Sequence, residues 1–185
     1  MELKLKITGV SFFLLCLVSC QTDRSKEKQP KVAFDVPEHL SKRPTTYFII
    51  RPGDTNNDRK DDNTELSEKG FDQAAFWGDY FSDKELDMFF TSTETYAFQT
   101  IIPIVHPYKG QVKNLEEDLS FDRDFWQKTY GKRSVIVNSD SLNLKLTNQI
   151  LQFKKYNPEQ LKNNKYVLKL DIDEQRNIKD TLINF

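Results

Sequence analysis

The chain of 185 residues is long enough for one domain of ordinary size with short extensions. Hydrophobic residues make up 37% of it, including 14 Phe and 7 Tyr, so there is enough apolar material for a real core. The net charge of -1 gives no electrostatic basis for binding nucleic acid, and we expect no nucleic-acid partner. No motif in the sequence predicts a cofactor.

The start of the chain has the pattern of a targeting segment rather than of folded structure. Lys4 and Lys6 precede an apolar stretch, 7–18, that is too short to span a bilayer. The stretch leads into LVSC, ending at Cys20, which resembles the lipobox of bacterial lipoproteins. That resemblance implies cleavage before Cys20, diacylglycerol on its thiol and acylation of the new amino group, although a plain signal peptide has a similar apolar stretch. More than one acyl chain gives stable membrane attachment.

The two cysteines of the chain are Cys16 and Cys20. Cys16 would leave with a signal peptide of residues 1–19, so the mature chain would contain no internal disulfide. Residues 20–44 are polar and charged, which predicts a flexible tether between the lipidated Cys20 and a domain at 45–185. We therefore expect a lipoprotein of the bacterial cell envelope. It would be anchored to membrane lipid through Cys20 and face the periplasm or the cell surface.

The sequence TTYFIIRPGDT, residues 45–55, predicts the first element of the domain. Its apolar run, 47–50, is bounded by turn residues and predicts a buried strand. Arg51 follows directly, at the carboxyl end of the strand, where open α/β sheets bind their ligands. Taken alone, this stretch favours an Arg that simply reaches solvent.

The loop after this strand has part of the spacing of a calcium-binding loop. The pattern places its ligand positions on Asp54, Asn56, Asp58, Lys60, Asp62 and Glu65. Arg59 stands where a Gly is needed for the sharp turn, and a strand rather than a helix precedes the loop. We therefore favour a solvated loop and predict no metal site.

A helix is predicted after Ser67, whose hydroxyl can cap a helix N-terminus. The apolar face of this helix is predicted to contain Phe71, Ala74, Ala75, Trp77, Tyr80 and Phe81. Residues 86–90 predict a second strand, with Thr91 directly after its apolar run. Another helix is predicted to follow. His106 comes after that helix, which returns the chain to the amino ends of the strands, opposite the edge where ligands bind. We therefore expect a surface histidine.

The second half of the domain predicts further strands and helices. In chain order we predict an edge strand at 111–115, a helix with core aromatics at 121–130, a buried strand at 134–137, a helix at 142–153, and antiparallel strands at 165–170 and 178–185. Strands that alternate with amphipathic helices favour an α/β domain. We expect three layers, α/β/α, around a mainly parallel central sheet that is completed by the C-terminal antiparallel hairpin.

Several of these stretches resemble the histidine phosphatase superfamily. A buried strand followed by Arg-Pro-Gly-Asp, ending at Asp54, resembles its strand followed by Arg-His-Gly-Glu. LSEKG from Leu66, with QAA from Gln73, resembles its Leu-Thr-Glu-x-Gly…Gln-Ala helix start. TS at Thr91, with QT at Gln99, resembles the segment that leads into its second helix. The resemblance covers the whole predicted domain and implies the phosphoglycerate-mutase-like fold.

The resemblance also implies where a site would lie. Members of the superfamily surround one phosphate with two Arg and two His, and one His attacks phosphorus. Their four positions correspond here to Arg51, Pro52, Tyr96 and Asp140. Proline has neither a nucleophilic atom nor a backbone donor. Tyrosine carries no charge near neutral pH, and a carboxylate at position 140 would repel a phosphate dianion.

Two functions remain open at this point. The first is a pseudoenzyme, which binds a small ligand or a protein partner through Arg51, Tyr96 and Asp140, or acts as a scaffold. The second is a phosphatase-like hydrolase of a small phosphorylated substrate that uses Asp54, Tyr96 or Asp140 in altered chemistry, with or without a metal. We favour the first, because the second needs a new nucleophile or an activated water. We also expect Asp140 to pair with Arg51, since a partly buried cation requires a counter-charge.

Overall fold

The computed structural model describes residues 31–34, 43–56, 63–115, 121–152, 155–161 and 165–185. The predicted signal peptide and lipidation site, Cys20, lie outside these ranges. So do the loop positions Asp58, Lys60 and Asp62 and the last residue of the helix predicted at 142–153. Within the described ranges every helix is too short or too polar to cross a bilayer.

A mixed β-sheet forms the centre of the domain. Its strands within the described residues are β1 (Thr45–Ile50), β2 (Met88–Thr91), β3 (Val112–Asn114), β4 (Arg133–Val137), β5 (Tyr166–Ile172) and β6 (Ile178–Asn184). Their spatial order is β3-β2-β4-β1-β5-β6. The pairs β1–β4, β2–β4 and β2–β3 are parallel, whereas β5 is antiparallel to both β1 and β6. The predicted mainly parallel sheet with a C-terminal antiparallel hairpin is confirmed.

Helices cover both faces of the sheet. They are α1 (Glu68–Phe81), α2 (Thr95–Val105), α3 (Arg123–Thr129) and α4 (Asp140–Leu151), with short 3₁₀ turns at His106–Tyr108 and Pro158–Leu161. Phe48 and Ile50 of β1 pack with α1 and α2, whereas Tyr47 and Ile49 pack with α3 and α4. This alternation follows from the two-residue repeat of a strand. The predicted three-layer α/β/α arrangement is therefore confirmed.

The buried stripe of α1 differs in part from the predicted one. The Ser67 cap is confirmed, since its hydroxyl accepts a hydrogen bond from the backbone N–H of Gly70. Ala74, Trp77 and Phe81 are buried as predicted. The predicted burial of Phe71 and Ala75 is wrong, because Phe71 is 49% exposed and Ala75 is exposed as well. The polar Gln73 lies in the buried stripe instead, only 3% exposed.

Residues 31–34, which the sequence analysis places in the tether, pack against the domain. The backbone N–H of Val32 donates to the carbonyl of Arg176 in the turn between β5 and β6, at 3.1 Å. The guanidinium of Arg176 donates to the carbonyl of Phe34, and the Phe34 ring contacts that of Phe121. Val32 is 2% exposed, so its side chain belongs to the core. The folded unit therefore includes this short segment before β1.

The parallel pairing brings the carboxyl ends of three strands to one edge. Ile50 of β1 lies beside Val137 of β4, and Thr91 of β2 lies on the other side of Val137. The residues that follow these strands, Arg51 and Asn138 among them, meet at this edge as expected from the sequence. His106 lies at the far end of α2, exposed, as the sequence predicts.

Candidate ligand-binding site

Arg51 and Asp140 approach each other at the carboxyl edge of the sheet. The Arg51 side chain leaves the end of β1 and is 14% exposed, whereas that of Asp140, in the first turn of α4, is 51% exposed. Arg51 Nη2 lies 3.4 Å from Asp140 Oδ2. We call these two residues the charge pair. The carboxylate also lies where the positive end of a helix dipole favours an anion. Because Asp140 is half exposed, the charge pair stabilises the fold by no more than about 1 kcal/mol.

A cavity of about 370 Å³ opens beside the charge pair. Its walls contain Arg51, Asp140, Ser141, Leu144, Pro158 and Leu161. The first turns of α4 therefore form one side and the 3₁₀ turn Pro158–Leu161 forms another. The described lining therefore consists of the charge pair, the polar Ser141 and three apolar residues, Leu144, Pro158 and Leu161. A volume of this size suits a small metabolite, since ligand sites commonly measure about 300–1,000 Å³.

The other two predicted site positions contribute in a different way. Pro52 is buried directly after Arg51 and provides no backbone donor. Tyr96 is 3% exposed and packs in the core with Ile50 and Val137, between the sheet and the layer formed by α1 and α2. Arg51 follows Ile50, so strand alternation directs it toward the α3 and α4 side, where the cavity lies. Tyr96 is not among the described residues that line this cavity.

The loop after Arg51 is held by polar side chains of α1 and α2, which we call the loop clamp (Ser67, Gln73, Gln99 and Thr100). The backbone N–H of Gly53 donates to Thr100 Oγ1 at 2.9 Å, and that of Asp54 donates to Gln73 Oε1 at 2.7 Å. In the part of the loop that leads into α1, the backbone N–H of Leu66 donates to Gln99 Oε1 at 2.8 Å. These bonds satisfy backbone groups that water would otherwise have to reach.

Two glycines allow the loop to approach α1 this closely. A Cβ atom on Gly70 would lie 2.0 Å from the carbonyl oxygen of Asp54, and one on Gly53 would lie 2.6 Å from the carbonyl oxygen of Gly70. That same Asp54 carbonyl accepts hydrogen bonds from the backbone N–H and the hydroxyl of Ser67, at 2.9 and 3.1 Å. A side chain at either glycine would push the loop off the helix.

Asp54 is an ionised carboxylate that is bound through its Oδ2 atom. Lys69 Nζ lies 2.7 Å from Asp54 Oδ2, and Gln73 Nε2 donates to the same oxygen at 3.2 Å. Partial burial alone would raise the pKa of Asp54, but the hydrogen bonds from Lys69 and Gln73, with the charges of Lys69 and Arg51, lower that pKa overall. Asp54 therefore holds the loop in place at neutral pH and has no proton to donate.

Asn143 and Tyr166 lie behind the charge pair, and the sequence predicts no role for either of them. Asn143 Nδ2 donates to the carbonyls of Ile50 and Asn138, each at 2.9 Å, and so ties the ends of β1 and β4 together. The register of β1 with β5, continued by two residues, puts Tyr166 opposite Arg51. Neither polar residue has a sequence pattern that predicts burial at this point.

The Tyr166 hydroxyl is a buried donor without a hydrogen-bond partner among the described residues. Burial raises the pKa of Tyr166 to about 12, the negative charge of Asp140 adds to the increase, and Asn143 and Arg51 oppose it. A buried polar group without a partner costs about 1–3 kcal/mol. Tyr166 therefore places a neutral, buried hydroxyl behind the charge pair.

The strand order, the two helical layers and the edge at which the charge pair lies define the class of this structure. The protein has the fold of the histidine phosphatase superfamily, which phosphoglycerate mutases share. No family model and no curated protein matches the chain.

Solved structures of that superfamily superpose on most of the chain. It is similar to the protein histidine phosphatase SixA complexed with tungstate, with a TM-score of 0.59 and 18% identity over 75% of this chain and 96% of that one. For the phosphoserine phosphatase of Entamoeba histolytica in complex with 3-phosphoglyceric acid, the TM-score is 0.59 and the identity 15%, over 76% and 97%. For phosphoglycerate mutase from Bacillus anthracis the values are 0.56 and 13%, over 78% and 93%. At such identities the likeness concerns the fold, and each activity is that of the protein named.

Proposed function

We propose that the protein is a pseudoenzyme, a lipid-anchored domain with a histidine-phosphatase-like fold that binds a small ligand or a protein partner without phosphoryl transfer. The observation that carries the proposal is the 3.4 Å contact within the charge pair. A phosphate dianion on Arg51 would stand within a few Å of the Asp140 carboxylate. Two like unit charges about 4 Å apart repel by roughly 4 kcal/mol at the dielectric typical of a protein surface.

The groups available to an altered hydrolase have other roles in this structure. Pro52 has no nucleophilic atom. Asp54 is bonded to Lys69 and Gln73 with a lowered pKa, so it is a poor general acid near neutral pH. Tyr96 packs in the core, and Asp140 lies against Arg51. These contacts support binding over catalysis as the use of the site.

An assay of phosphatase activity tests the proposal. The purified full-length protein, given a generic aryl phosphate, is expected to release no more phosphate than a heat-treated sample at any pH between 5 and 9. Pro52→His alone is expected to restore nothing, because Tyr96 and Asp140 still leave the transferring phosphoryl group short of positive charge. Turnover that requires Arg51, shown by its loss in Arg51→Ala, would overturn the pseudoenzyme assignment.

Anchoring through Cys20 is the second part of the proposal. It is supported by the LVSC sequence after a short apolar stretch. Residues 20–30 would then separate the lipid from the first described contact of the domain, at Lys31. An extended segment of that length reaches about 35 Å, so the domain would stay close to the membrane of the cell envelope.

Metabolic labelling with a radioactive fatty acid tests the anchor. Cells that express the wild type and Cys16→Ala are expected to label the protein equally, because Cys16 lies within the predicted signal peptide. Cys20→Ala is expected to remove the label. Equal labelling of all three proteins, or labelling of none, would contradict lipidation at Cys20.

A further inference from the structure

The cavity beside the charge pair has two chemically different walls. Arg51 and Asp140 present opposite charges 3.4 Å apart at one end. Leu144, Pro158 and Leu161 line the rest with apolar surface. These groups line a volume of about 370 Å³, so an occupant that fills it would contact both walls at once. A fitting occupant is therefore small, polar at one end and aliphatic at the other.

A ligand with one charge does not match the charged wall. An anion drawn to Arg51 meets the Asp140 carboxylate, and a cation drawn to Asp140 meets the Arg51 guanidinium. In either case attraction to one residue is offset by repulsion from its neighbour at nearly the same distance. A neutral apolar ligand gains nothing from the charges that it must desolvate. The pairing of opposite charges at one wall therefore selects for a ligand that carries both.

We infer that this cavity binds a small zwitterion with an aliphatic body, of which a branched-chain amino acid is the simplest example. The ligand carboxylate would lie against Arg51, with which it forms the bidentate geometry that guanidinium favours. The ligand ammonium would lie against Asp140, and its aliphatic side chain against Leu144 and Leu161. The inference rests on the proposed function, because a cavity built for phosphoryl transfer has to admit a phosphate dianion.

The half-exposed Asp140 fits this role. Its carboxylate remains 51% accessible, so an incoming ammonium reaches it without breaking the core. Arg51 is shielded, at 14% exposure, so its attraction for a carboxylate is less screened by water. Each end of the zwitterion therefore has a distinct partner.

Calorimetry with matched ligands tests the inference on the full-length protein. Leucine and leucyl-leucine are the zwitterionic probes. 4-Methylpentanoate lacks the ammonium group, 3-methylbutylamine lacks the carboxylate, and glycine lacks the aliphatic body. We expect at least one zwitterionic probe to bind at least tenfold more tightly than each of the three truncated molecules. Absence of binding by both zwitterionic probes, or equal binding by leucine and the truncated molecules, would overturn the inference.

Variants test whether ligand binding depends on the charge of Asp140 rather than on a carboxylate elsewhere in the protein. Asp140→Asn is expected to weaken binding of the zwitterionic probe at least tenfold and to strengthen binding of 4-methylpentanoate. Asp72→Asn, an exposed carboxylate on α1, is the matched control and is expected to change neither. If Asp140→Asn leaves the probe affinity unchanged, the inference fails. Failure here with no aryl phosphatase activity leaves the pseudoenzyme proposal standing, whereas Arg51-dependent turnover removes both.

Discussion

The loop that follows β1 has two sides that differ in how they are held. On one side, the loop clamp holds Gly53 and Asp54 through hydrogen bonds of 2.9 and 2.7 Å to buried side chains. On the other, Arg51 meets a half-exposed Asp140 at 3.4 Å, longer than the roughly 2.7–2.9 Å of a charge-assisted hydrogen bond. The first side is rigid and closed, whereas the second borders a cavity.

This difference separates the residues that stabilise the fold from the residues that would bind or transform a ligand. The residues in which the sequence most resembles the histidine phosphatase superfamily, such as Gly70, Gln73 and Thr100, serve the loop clamp or its close packing. Two of the positions in which the sequence departs from the superfamily, Pro52 and Asp140, adjoin Arg51, whereas the third, Tyr96, packs in the core. A motif can therefore persist because it positions a loop, and its presence predicts the fold rather than an activity.

The largest effect is expected from a substitution that disturbs the packing of the loop against α1. Gly70→Ala puts a methyl group 2.0 Å from the Asp54 carbonyl oxygen in the unrelaxed structure. We expect the free energy of unfolding, measured by urea denaturation, to fall by about 3 kcal/mol through overpacking. Asp72→Ala, exposed on the same helix, is the control and is expected to stay within about 0.5 kcal/mol of the wild type. Equal stability of both variants would mean that the loop does not lie against α1.

A smaller loss is expected when the loop clamp loses one side chain. Gln73→Leu keeps the size of the residue but leaves the backbone N–H of Asp54 without its acceptor. An unsatisfied buried donor lowers the free energy of unfolding by about 2 kcal/mol. Gln127→Leu, at an exposed position of α3, provides the comparison in the same denaturation experiment. If the two leucine variants are equally stable, the role given to Gln73 is wrong.

Tyr166, which lies behind the charge pair, is expected to make the free energy of unfolding depend on pH in the alkaline range. Unfolded tyrosine ionises near pH 10, whereas folded Tyr166 stays neutral until about pH 12. The unfolded state therefore loses its proton first, and the free energy of unfolding falls between these pH values by about 1.4 kcal/mol per pH unit for this residue. We expect the free energy of unfolding of Tyr166→Phe, measured by denaturation at a series of pH values, to fall less steeply over that range than that of the wild type. An unchanged slope would show that the hydroxyl is not buried.

The sequence was sufficient to predict the architecture and the meeting of Arg51 with Asp140. Both follow from short apolar runs that end in polar residues, because parallel buried strands bring such ends to one edge. The burial of Gln73 was not predictable from helical periodicity, since its acceptor role depends on Asp54, which lies nineteen residues earlier. Tyr166 was equally hidden, because its place behind Arg51 depends on the register of an antiparallel strand far along the chain.

The most direct test of the account is the affinity for phosphate and vanadate when the charge pair is opened. Asp140→Asn keeps the shape of the side chain and removes its charge, so Arg51 no longer faces the Asp140 carboxylate. In calorimetry at constant ionic strength we predict that Asp140→Asn binds both anions at least tenfold more tightly than the wild type, with Asp72→Asn equal to the wild type. Anion affinity that is the same in all three proteins would contradict the claim that Asp140 closes the anion site.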